Sequence, residues 1–90
     1  MTEHSPQLAE HLLYDVHNIE RDLQNAERER PVNHSQCARL ARHLILAVDR
    51  ARTHHAPTSW QAEQLRDIRH LAVLALHQHY RHLRDGQGAP

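Results

Sequence analysis

Eleven histidines in ninety residues are the first candidates for chemistry in this chain. A helical zinc or di-iron site needs converging ligands, such as His at i and i+4 or a Glu-x-x-His pair on each of two helices. Neither spacing occurs. The nearest approaches are Asp67-x-x-His70, His79-x-x-His82 and His34-x-x-Cys37, each of which would have to borrow a ligand from another helix. The expectation is therefore no metal and no cofactor, with histidine used mainly as a polar surface residue. His79 differs, because it falls on an apolar stripe and reads as a partly buried, hydrogen-bonded side chain. Cys37 has His34 one turn before it near a helix start, a setting that lowers a thiol pKa. It also lies on an apolar helix face, where a buried inert thiol is the ordinary outcome. No glycine-rich phosphate loop exists, since both glycines fall in the last five residues.

Arg50-Ala51-Arg52-Thr53-His54-His55 carries a second kind of chemistry. The Arg50 to His55 spacing, Arg-x4-His, resembles the motif of the helical HEPN ribonucleases. The likeness covers six residues, and Ala51 stands where that family usually places a polar side chain. It implies metal-independent RNA cleavage, with one residue holding a phosphate and the other moving a proton. The expectation set against it is that the chain is not an enzyme.

These residues must be carried by helices, because apolar side chains recur at helical and never at strand spacing. The first helix, about residues 6–30, opens at Ser5-Pro6, and Leu8, Leu12, Val16, Ile19, Leu23 and Ala26 form a narrow seam. Pro31 ends it. The second, about 34–55, is capped by Asn33 or Ser35 and turns Cys37, Leu40, Ala41, Leu44, Val48 and Ala51 to one side. Its opposite side gathers Arg39, Arg42, His43, Arg50 and His54, with Leu46 in their middle. The third, about 59–84, opens with the capping-box pattern Thr58-Ser59-Trp60-Gln61 and closes at Asp85-Gly86, leaving residues 87–90 as a disordered tail. Its stripe is Leu65, Ile68, Ala72, Leu76 and Leu83, with Leu71, Leu74 and Trp60 on another side. The run Leu71 to Leu76 is apolar nearly all round, so this helix reads as the central one. The fold class is all-α: one domain, an elongated three-helix up-down-up bundle, assembling as a helical homodimer because a slender bundle leaves a flank half covered.

Charge is split along the chain. Residues 1–30 hold seven acids against three arginines, and residues 31–90 hold eight arginines against four acids. The formal total is zero, which gives no long-range attraction for nucleic acid. A single cysteine, a polar start and no long apolar run point to a cytoplasmic, non-membrane protein. What a bundle does not need for its own core is Leu46 among arginines and the Trp60, Leu71 and Leu74 side. Trp, Tyr and Arg are enriched at binding hot spots. The sequence therefore leads to a non-catalytic regulator that binds another protein through Arg39, Arg42, Leu46, Arg50, Trp60, Leu71 and Leu74. Nucleic-acid binding or weak RNA cleavage through the Arg/His face is the alternative, and pH sensing by the histidines a third possibility.

Overall fold

The computed structural model describes residues 6–54 and 58–88 of the chain. They form α1 (Pro6–Arg28), α2 (His34–His54) and α3 (Ser59–Gly88), with no strand among the described residues. Each described start follows from its sequence. Asn33 caps α2, its side-chain Oδ1 accepting from the Gln36 amide at 3.0 Å. Thr58 and Gln61 close a reciprocal capping box on α3, the Gln61 amide donating to Thr58 Oγ1 and the Thr58 amide to Gln61 Oε1, each at 3.1 Å. α1 ends where Arg30 turns its guanidinium back onto the Glu27 and Glu29 carbonyls at 2.8 and 2.9 Å, satisfying acceptors that the helix itself cannot. The expected cap at Ser5 and the Leu8 side chain lie outside what is described.

α3 runs to Gly88, past the stop expected at Asp85-Gly86. A glycine cap takes the left-handed conformation. No described glycine has positive φ, so Gly86 continues α3 instead of closing it.

The larger difference concerns which helix is central. α2 packs on both α1 and α3, which scarcely touch each other. Its buried residues are Cys37, Ala38, Ala41, Leu44, Ala47, Val48 and Ala51, an arc covering about half the helix circumference at about 100° per residue. Four alanines in that arc let the backbones of both neighbours approach closely. α1 contributes Leu12, Val16, Leu23 and Ala26, and α3 contributes Leu65, Ile68 and Ala72. Val16 and Val48 are fully buried, and each such side chain contributes about 1.5–3 kcal/mol relative to exposure. The Leu71–Leu76 run does not lie at the centre. Ala72 is buried, Val73, Ala75 and Leu76 are half-buried, and Leu71 and Leu74 face outward.

The helices alternate in direction. Glu27 at the end of α1, His34 at the start of α2 and His79 near the end of α3 meet at one end of the bundle. Toward the other end, Arg69 Nε of α3 donates to Asp49 Oδ1 of α2 at 2.9 Å. Long helices laid side by side give principal extents of 61 × 21 × 18 Å. No described helix is long and apolar enough to cross a membrane.

Candidate functional site

Three surfaces or clusters carry the residues singled out by sequence. The first is the junction where the three helices meet. His79 is 6% exposed and is the sole buried polar side chain among the described residues. Its Nε2 lies 2.7 Å from Glu27 Oε2, and its Nδ1 lies 2.8 Å from His34 Nδ1. A carboxylate only accepts, so Nε2 of His79 carries a proton. With both rings neutral, His79 Nδ1 then accepts from the Nδ1–H of His34. His82, one turn beyond His79, stacks on His34 with ring centroids 4.3 Å apart and planes 9° from parallel.

Two of the short spacings noted in the sequence, His79-x-x-His82 and His34-x-x-Cys37, thus converge on one place. The His34 and His79 centroids lie 5.1 Å apart, close to the longest separation a 2.8 Å nitrogen contact between two such rings permits. The rings therefore point straight at each other, the geometry of a shared proton. A cation bridging them in line with bonds of about 2.0–2.1 Å would need the nitrogens about 4 Å apart. No group of three His, Cys, Asp or Glu among the described residues is arranged to hold an ion. Desolvation holds the His34 pKa below its ordinary value, helped by the charges that His82 and His79 can carry. Cys37, one turn along α2, is buried, and its thiol pKa is raised by that burial and then by Glu27 and Glu29. That is the reverse of an activated nucleophile.

The second surface is the outer ridge of α2. Leu46 is 53% exposed and stands about 180° from the middle of the buried arc. Arg39, Arg42, His43 and Arg50 surround it, all exposed. None of the three arginines makes an ion pair or side-chain hydrogen bond among the described residues. Asp49, the single acid of α2, is already engaged by Arg69. Leu46 lines two hollows. One of about 240 Å³ lies toward α1, with Asp15, Ile19 and Arg50. The other, of about 540 Å³, lies toward α3, with Arg39, Arg42, Tyr80 and Leu83. Tyr80 and Leu83 also border a depression with His77, Arg81 and Arg84, so the basic surface continues onto α3.

The third surface is a groove of about 390 Å³ between α1 and α3, opening away from α2. Leu44, Ile68 and Ala72 form its floor, Leu23 and Leu71 its walls, with Glu20, Gln24 and Leu74 at the rim. Leu71 and Leu74 are 62% and 51% exposed.

The seven residues selected from sequence do not form one site. Arg39, Arg42, Leu46 and Arg50 come together on the ridge, and Leu71 and Leu74 come together at the groove. Trp60, 69% exposed, lies on the groove side of α3 but about 16 Å along the axis from Leu71. His55 of the Arg-x4-His motif lies outside the described residues; Arg50 is on the ridge. Sequence reasoning missed Tyr80 as a ridge residue, although it sits beside the basic strip of α3, and it missed Glu27 altogether. No family model matches the chain, and no curated protein and no solved structure is significantly similar to it.

Proposed function

We propose that this chain is a small, non-catalytic helical regulator of the cytoplasm that acts by binding another protein, as an adaptor, inhibitor or anti-activator. The observation that carries the reading is Leu46, an aliphatic side chain directed away from the core, set among guanidinium groups without a partner among the described residues and lining two hollows. Such an arrangement contributes little to the fold, and burial of Leu46 by a partner would stabilise a complex. The same reading takes Leu71 and Leu74, across the bundle, as the contact between two copies. The ridge is unsuited to that role, because a twofold contact there would set arginines against arginines.

Affinity capture from native cytoplasm, with and without nuclease, tests the binding mode. A protein held by the wild-type chain after nuclease treatment, and lost with Leu46→Ala, is the expected result. Retention that depends on nucleic acid and ignores Leu46 would reject the reading. The unpaired arginines favour nucleic acid as the second reading, with salt dependence as its signature: several phosphate contacts weaken binding by orders of magnitude between about 50 and about 200 mM salt. For the two-copy contact, Leu71→Asp with Leu74→Asp should yield a monomer in sedimentation equilibrium. A wild-type chain already monomeric at high concentration would remove it.

A further inference from the structure

Resting on the protein-binding reading above, we infer that the α2 ridge takes an acidic amphipathic helix, about three turns long, from its partner. Arg39 and Arg50 bracket the ridge about 16 Å apart along the axis, which is the reach of about eleven helical residues. Within that span Leu46 stands at the centre, and Tyr80 and Leu83 of α3 form an apolar wall beside it. Arg39 and Arg42 line the hollow toward α3, Arg50 lines the one toward α1, and His43 lines both. A docked helix thus meets an apolar strip with cations on both sides. Its complement is a helix with leucine-like residues at i, i+3 or i+4 and i+7, flanked by Glu or Asp.

Charge accounting selects acid over a neutral partner. The ridge guanidiniums have no internal partner among the described residues, and Asp49, the single acid of α2, is held by Arg69. Arginine also pairs two-pronged with carboxylate, which fixes the register of a helix laid along it. Nucleic acid fits less well. Phosphate recognition gains nothing from an aliphatic side chain raised at the middle of the cationic strip.

Fluorescence anisotropy on the full chain tests this with three labelled probes of similar length. One is a helical peptide with a Leu stripe flanked by Glu, one is the same peptide with Gln for Glu, and one is a single-stranded RNA. The Glu peptide should bind, the Gln peptide at least tenfold more weakly, and the RNA weaker still. Leu46→Ala should weaken the Glu peptide about tenfold, and Arg39→Glu with Arg42→Glu should abolish its binding while restoring binding to a Lys-flanked version. Circular dichroism of each variant establishes that it is folded. Equal binding of the Glu and Gln peptides would overturn the acidic partner and leave protein binding intact. Binding that ignores Leu46 but is lost with Leu71→Asp would move the partner to the groove, with the same consequence. RNA bound tighter than peptide, indifferent to Leu46→Ala, would overturn both readings. No binding of any probe would overturn the acidic-helix inference alone.

Discussion

The junction at Glu27, His34 and His79 and the ridge at Arg39, Leu46 and Arg50 are built from the two residue types this chain uses most among its polar side chains. They differ in where their hydrogen bonds go. At the junction each facing ring nitrogen has a partner on another helix, at 2.7 or 2.8 Å, and the central ring is buried. On the ridge no guanidinium has a partner among the described residues, and the apolar side chain between them is exposed. Burial of a polar group is tolerated only when it is satisfied, so the junction serves the fold. Solvated arginines around a leucine contribute little to folding and leave binding capacity for something outside the chain.

The largest effect expected from breaking this contrast is at His79. His79→Ala leaves a cavity and strips Glu27 and His34 of their common partner, at a cost of about 2–4 kcal/mol. In a domain of this size that lowers the Tm by roughly 10–20 °C. A shift of less than about 4 °C in calorimetry would mean that the junction is ornamental to stability. Next in size is Leu46→Ala, where the two regions should separate cleanly. Binding of an acidic helix falls about tenfold, equivalent to about 1.4 kcal/mol. Thermal stability should move by no more than about 0.5 kcal/mol, as for other exposed positions. A large fall in Tm would place Leu46 in the fold and end its role as a docking residue.

Acid should act on the junction, while the ridge arginines keep their charge throughout. The His34 pKa is lowered in the folded chain, so below the ordinary value of 6.5 the unfolded chain binds a proton that the folded one resists. Stability then rises with pH through this window and is lost as pH falls below 6.5 toward the folded value, after which the loss is constant. The groups that oppose the His34 proton are His79 and His82 on α3, while Glu27 on α1 faces His79. The Tm of the wild-type chain should therefore drop between about pH 7.5 and pH 5.5, and His34→Gln should flatten that slope. An unchanged slope in the variant would place the acid sensitivity elsewhere. Cys37 offers a local readout: buried and held protonated, it should resist alkylation at neutral pH until the bundle opens.

These two regions were unequally legible in the sequence. Helix number, the Asn33 cap, the Thr58–Gln61 box and the position of Leu46 opposite the α2 core all follow from spacing within one helix. The junction does not, because its members come from three helices and their meeting depends on how far each slides along its neighbours. Spacing marked His79 as a hydrogen-bonded stripe residue, paired it with His82 and paired His34 with Cys37, yet nothing local points to Glu27. The hub was misplaced for a related reason. A pattern weighted by large side chains favours leucine-rich α3, whereas α2 wins the centre through alanines that allow close approach on two sides. The run of α3 through Gly86 to Gly88 shows the limit of a glycine signal, because glycine caps a helix only where it turns left-handed and is otherwise tolerated within it.

The smallest expected effect lies on α2 away from the junction, toward the other end of the bundle. Arg69 and Asp49 form an ion pair with side chains 39% and 46% exposed, so solvent screening limits its worth to about 0–1 kcal/mol. Arg69→Ala should lower the Tm only slightly, less so in high salt. Its consequence for the ridge is different in kind. Without Arg69, the Asp49 carboxylate on α2 is no longer neutralised, and one positive charge is gone from the neighbouring α3. An acidic helix should then bind about twofold more weakly at low salt, and the difference should vanish as salt rises. If Arg69→Ala instead cost more stability than His79→Ala, the pair on the open flank would be holding α2 to α3, and the polar junction would lose its standing as the fastening that serves the fold.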